Sequence, residues 1–171
     1  PHGVIGIDID SGASEVILER DKIGHPAFHP DDSNLLRYAG PYQDRMWVIE
    51  RDGSNNRLVY ERNVAEKEWI VHETWVPGCR ELVTAKWPHG VIGIDIDSGA
   101  VRQVTRQRAW HPMIDPGGTF MVTDTTFPDE GLLRFDALDG VGEARVLCLT
   151  ESSNVGAHWD TDHCPYDGGP V

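Results

Sequence analysis

Four of the histidines open segments of related pattern: "HPAFHPDDSNLL" from His25, "HETWVPGCRELV" from His72, "HPMIDPGGTFMV" from His111 and "HWDTDHCPYDGG" from His158. The steps between them are 47, 39 and 47 residues, and the alternate pairs, His25 with His111 and His72 with His158, are both 86 apart. An imidazole changes charge near neutral pH and ligates first-row metals. Several of them facing one cavity would therefore move protons or hold an ion. The plainer alternative is that a repeat protein keeps a histidine at one position because the ring hydrogen-bonds a turn.

Other chemistry is harder to find. The sequence has no Gly-rich phosphate loop, no His-Glu-x-x-His and no Gly-x-Ser-x-Gly elbow. The segment "HWDTDHC", His158 to Cys164, matches no standard zinc spacing. The acidic pairs Asp31–Asp32 and Asp129–Glu130 lie in turn-like stretches and read as solvated. Trp47, Trp75, Trp87 and Trp110 sit on or beside strand-like segments, where large rings pack between layers.

What must position the histidines is a set of short strands. Asp and Gly recur in turn-like strings at Gly12, Gly53, Gly99 and Gly140, in steps of 41, 46 and 41 residues. Each lies between two apolar, β-branched runs, such as "RMWVIE" and "RLVY". Asp-Gly between such runs signals a hairpin, because Gly supplies the positive φ of a tight turn. The histidine segments add a second hairpin per unit, with a proline five residues on in the first three. Four short strands every 40 to 47 residues is the period of a β-propeller blade. The expected fold is all-β: a partial β-propeller of about four blades of four-stranded antiparallel sheet. Its turn-defined blades are 1–40, 41–86, 87–127 and 128–171, all in one domain. Open blade edges would favour self-association, since a repeat unit cannot bury its own apolar face.

The thirteen residues "PHGVIGIDIDSGA" occur twice without a change, at 1–13 and 88–100. Identity collapses immediately after each copy while the pattern continues. Such an abrupt edge marks a recent or artificial join laid over an older repeat, so residues 1–13 are suspect as native context.

The chain has 171 residues, a net charge of −13 and a hydrophobic share of 39%, ordinary values for a globular chain apart from the acidity. That charge, with no basic stripe, argues against a nucleic-acid partner. No apolar run approaches the roughly 20 residues of a membrane helix. Cys79, Cys148 and Cys164 fit neither a disulfide framework nor a metal knuckle, which points to reduced thiols and a cytoplasmic setting.

The ordered pieces "GHPAFHPDDSNLL", "GPYQDRMWVIERDGSNNR" and "VHETWVP" resemble the oligogalacturonate lyases, pectin-degrading enzymes with a seven-bladed propeller related to TolB-type repeats. The likeness runs from Gly24 to Thr123 and more loosely to the end. The resemblance implies β-elimination on an anionic oligogalacturonide: a base takes the proton on carbon 5 of a uronate, and the glycosidic oxygen on carbon 4 departs. It assigns Arg45 of "DRMW" to substrate binding and charge neutralisation, His72 of "HETW" to the base and His111 of "HPMIDP" to a Mn²⁺ ligand. His158, which opens the fourth histidine segment, is a further candidate for substrate binding.

The family's other ligands lie in a Gln-x-x-His-x-His stretch that this sequence lacks. The resemblance therefore implies that they fall beyond Val171, and that this chain alone binds Mn²⁺ poorly and turns over little substrate. A competing expectation is a non-catalytic TolB-like propeller that presents its faces to a protein partner.

Overall fold

The computed structural model describes residues 1–66, 68–125, 129–136, 138–140 and 142–150. Within them the chain is all-β, with one short 3-10 turn at Val64–Glu66. It divides into two compact units, Pro1–Glu61 and Arg62–Val171.

The first unit opens with a two-stranded sheet, β1 (His2–Ile7) and β2 (Ser14–Arg20). A four-stranded meander follows: β3 (Gly24–His29), β4 (Asp32–Ala39), β5 (Met46–Glu50) and β6 (Arg57–Tyr60). The second unit holds two more meanders. One is β7 (Trp69–Val76), β8 (Glu81–Trp87), β9 (Val91–Asp95) and β10 (Val101–Thr105). The other is β11 (Met113–Ile114), β12 (Met121–Asp124), β13 (Leu132–Phe135) and β14 (Ala144–Cys148).

Every pair in these sheets is antiparallel and sequential. Three sheets thus have the four strands of a propeller blade, while the first has two among the described residues. Within each four-stranded sheet the histidine segment comes first and the Asp-Gly hairpin joins the third strand to the fourth.

The hairpin turns form from local chemistry. In the turn 95–100 the Asp95 carboxylate accepts hydrogen bonds from the backbone N–H and the hydroxyl of Ser98, both at 2.7 Å, and Gly99 sits at φ 72°. The turn 8–13 repeats this with Asp8, Ser11 and Gly12 at 2.8 Å, 2.7 Å and φ 71°. A side chain at that φ is strained, so the glycine is required. These bonds favour the ionised carboxylate, and they hold Asp8 and Asp95 below the usual carboxylate range, the serine side-chain bond first.

Central strands carry apolar residues on both faces because both are covered. In the first unit Val4, Ile17, Leu36, Tyr38 and Ile49 form one core between the two sheets. In the second, Val76, Val83, Val91, Val104, Met121, Leu133 and Phe135 form another. Each large aliphatic side chain so buried contributes roughly 1.5–3 kcal/mol. The tryptophans pack as expected of large rings: Trp75 and Trp87 are buried, Trp47 stacks on Tyr38, and Trp110 meets Trp69 and Trp87 edge-on.

Candidate functional site

In the first unit β3 begins with a bulge that shifts its register against β4 between Gly24 and Ala27. His25 lies in this bulge with a left-handed backbone, φ 50°. Nη1 of Arg37, on the neighbouring strand, donates to the His25 carbonyl at 2.7 Å and secures the bend. Arg45 ends the loop between β4 and β5. Its carbonyl accepts from Gly40 N–H at 2.8 Å, and a Cβ on Gly40 would stand only 2.5 Å from the Asp44 carbonyl oxygen, so the tight loop depends on that glycine. The loop also holds Trp47, whose Nε1 donates to the Asp44 carbonyl at 2.6 Å. Arg45 itself is buried, and its Nη2 lies 3.3 Å from Nδ1 of His25. Arginine in the loop before β5, mostly withdrawn from water, differs from an ordinary surface strand arginine.

In the second unit β7 carries the matching bulge, between Val71 and Thr74 in its register with β8. His72 sits in it with φ 58°. So His25 and His72 occupy the same kind of position, a left-handed residue near the start of the first strand of a four-stranded sheet. His111 differs: it precedes β11, which starts at Met113, and lies in the loop leading to that strand.

The His111 and His72 rings are 4.1 Å apart, and Trp110 packs edge-on to His72 at 5.1 Å. Asp124, the last residue of β12, holds this loop in place. Its Oδ1 accepts from the His111 backbone N–H at 2.8 Å, its Oδ2 lies 2.8 Å from His111 Nδ1, and its carbonyl accepts from Trp110 N–H at 3.1 Å. A carboxylate only accepts, so Nδ1 of His111 carries a proton, and Nε2 is the nitrogen turned away from Asp124. Trp110 is in turn wedged against Trp69 and Trp87, which fixes the wall on which His72 rests.

The structure therefore brings His72 and His111 together in the second unit and places Arg45 beside His25 in the first. His158 lies outside the described residues. Asp124 escaped the sequence reading because a strand-end aspartate in "MVTD" carries no motif; only the fold brings it to a histidine thirteen residues earlier.

Among the described residues no group of three or more His, Cys, Asp or Glu side chains comes together to hold a metal. His111 offers one nitrogen, Nε2, and His72 is its nearest imidazole. An ion such as Mn²⁺ asks for a near-octahedral set of donors. The described residues do not amount to that set.

The family profile of oligogalacturonate lyase matches residues 2–130. An oligogalacturonate lyase of Dickeya dadantii (strain 3937) is 34% identical over 133 residues, covering 71% of this chain and 34% of its own length. An oligogalacturonide lyase of Pectobacterium atrosepticum is 40% identical over 80 residues, 43% of this chain and 20% of that protein. This chain thus spans about a third or less of the curated relatives it matches.

Among solved structures, an oligogalacturonate lyase in complex with manganese aligns with TM-score 0.75 and 28% identity over 93% of this chain and 44% of that one. TolB from Acinetobacter baumannii, at TM-score 0.66 and 15% identity over 86% of this chain and 38% of its own, shares the propeller fold. A sequence pattern of paired hairpins, three blade-like meanders in sequential order and a profile match over most of the length agree on one assignment. This all-β chain, part of a β-propeller, belongs to the oligogalacturonate lyase family.

Proposed function

We propose that the chain carries the base and the cation of an oligogalacturonate lyase site, acting by β-elimination on short pectic oligogalacturonides. The proton on carbon 5 of a uronate is feebly acidic, because its removal places a second negative charge on a group that already holds a carboxylate. Two things lower that barrier: a base within reach of the proton, and a cation on the carboxylate to receive the developing charge. His72 is assigned the first role and Arg45 the second. The base takes the proton into its imidazole, the electrons form the carbon 4–carbon 5 double bond, and the glycosidic oxygen leaves with its bonding pair to be protonated by solvent.

The observation that carries this reading is the setting of His72. It is held in a left-handed bulge and walled by Trp110 and His111, an arrangement that fixes a ring for proton transfer at some cost in backbone strain. Burial of Arg45 supports the second role, since a guanidinium withdrawn from water interacts more strongly with a bound carboxylate. His111, with Nε2 as its remaining donor atom, is the residue that would face the manganese seen in the related lyase. His158, 86 residues after His72, is kept as a candidate substrate contact on its place in the histidine repeat.

A cytoplasmic setting belongs to the same proposal, supported by the wide spacing of Cys79, Cys148 and Cys164 in the sequence, which fits no disulfide framework. Among the described residues no helix is long and apolar enough to cross a membrane. Self-association is supported by Ile5, Ile7 and Ile9, which are exposed on and after β1.

The test is formation of unsaturated uronate from trigalacturonate, followed by ultraviolet absorbance, for the parent chain, His72→Ala and Arg45→Ala, with and without added Mn²⁺. A slow parent rate that falls by about a hundredfold in His72→Ala is expected of a general base. An unchanged rate in His72→Ala removes that residue as the base.

A further inference from the structure

Arg45 has a partner in His25, whose Nδ1 lies 3.3 Å from its Nη2. We propose that His25 is a positioning residue for Arg45: a neutral imidazole that fixes the plane of the guanidinium presented to the substrate carboxylate. This rests on the assignment of Arg45 to substrate binding.

All five N–H groups of a guanidinium are donors, so the 3.3 Å contact between Arg45 Nη2 and His25 Nδ1 needs an acceptor at Nδ1. The proton of His25 is then on Nε2, and the ring is uncharged. An imidazolium would lose the acceptor and set a like charge against the arginine. The contact holds one N–H of the planar fork and so sets the plane in which the guanidinium meets a carboxylate.

The backbone is arranged to keep the ring there. His25 adopts φ 50°, a left-handed value that most side chains resist, and its carbonyl is tied to Arg37 Nη1 at 2.7 Å. On the other side, the Gly40–Arg45 backbone bond fixes where the arginine leaves its loop. Both residues of the pair are thus anchored through their own carbonyl oxygens, which is what a device for orienting a long side chain requires. The separate strand pair that bears His72 has the same left-handed bulge, so the fold uses one backbone solution twice, once for the base and once for the support of the cation.

Two substitutions separate backbone from acceptor. His25→Gly accepts the left-handed conformation and supplies no acceptor. His25→Asn tolerates the same conformation and restores an acceptor oxygen close to the position of Nδ1. Trigalacturonate affinity of the 171-residue chain is measured by titration calorimetry in the presence of EDTA, alongside Arg45→Ala, and nitrogen-15 NMR reads the His25 tautomer and the Arg45 guanidinium signals.

Arg45→Ala is expected to weaken binding most. His25→Gly is expected to weaken it roughly tenfold, and His25→Asn to return it to within about threefold of the parent, as for loss and restoration of a hydrogen bond to a charged group. The parent spectrum should show a protonated Nε2 and a bare Nδ1, with Arg45 guanidinium protons resolved in the parent and averaged in His25→Gly.

A His25→Gly variant that binds like the parent while Arg45→Ala fails overturns the positioning role alone, as does a protonated Nδ1. If Arg45→Ala binds like the parent, or the parent does not bind at all, the substrate-binding role of Arg45 falls and this inference with it.

Discussion

The hairpins at 1–13 and 88–100 have the same residues and the same turn, yet water treats them differently. Asp8–Gly12 and Asp95–Gly99 make the same set of serine–aspartate and main-chain hydrogen bonds, within a tenth of an ångström of one another. Burial separates them. Ile92, Ile94 and Ile96 are 3%, 0% and 3% exposed, while their counterparts Ile5, Ile7 and Ile9 are 59%, 66% and 95% exposed. β9 lies between β8 and β10; β1 pairs with β2 alone among the described strands. Turn chemistry is therefore written into the thirteen residues, whereas the use of their apolar side chains is decided by what the rest of the chain lays against them.

The largest effect should appear where the two copies differ most. Ile94→Ala removes a fully buried side chain and leaves a cavity, at about 2–5 kcal/mol. Ile7→Ala, at a position two-thirds exposed, should stay within about 0.5 kcal/mol. Urea unfolding of the two variants provides the comparison. Equal losses would mean that β1 is covered in solution, as a self-associated chain would cover it, and sedimentation at several concentrations would then show the larger species.

A smaller effect should be the same in both copies. Gly12→Ala and Gly99→Ala each force a side chain into φ near 71–72°, which costs about 1–2 kcal/mol. No heavy atom stands within 4 Å of a Cβ built at either glycine, so only backbone strain differs from the parent. The two variants should lose stability equally by thermal unfolding. A markedly larger loss at Gly99 would mean that the turn is not the local unit described here.

That contrast also explains which parts of the molecule could be read from the residues alone. The hairpins at Gly53, Gly99 and Gly140 were legible because a positive φ and a short polar side chain leave a local signature, and all three glycines have φ between 72° and 85°. The four-strand period and the family followed from spacing and from "HETWVP" and "DRMW". The left-handed bulges at His25 and His72 were not legible, since histidine is no usual occupant of that conformation and the strain is held by bonds from other strands, such as Arg37 to the His25 carbonyl. Nor was Asp124, whose link to His111 exists only once β12 lies beside the loop. The interchangeable look of His25, His72 and His111 was the misleading part: two share a bulge, and the third is a loop residue oriented by a carboxylate.

The smallest effect lies in the acid limb, and its sign follows from the same turns. Asp8 and Asp95 are both held below the ordinary value of 3.8, chiefly by the hydroxyl of Ser11 and of Ser98 and then by the serine backbone N–H. A carboxyl whose value is depressed on folding adds stability above its unfolded value, and that increment is lost as pH falls through the depressed one. Asp8→Asn and Asp95→Asn remove the increment, so each variant should melt slightly below the parent at pH 7 and approach it as the pH is taken below about 3.8. Both carboxylates are open to water, so the two gaps should be small, and salt should narrow them further because the distant partners, Arg51 for Asp8 and Arg80 for Asp95, act through screened charge. Melting curves of both variants and the parent from pH 7 to pH 3 would show parallel behaviour if the turn alone sets the carboxylate, and an Asp95 gap that persists in acid would instead tie that turn to the buried sheet around it.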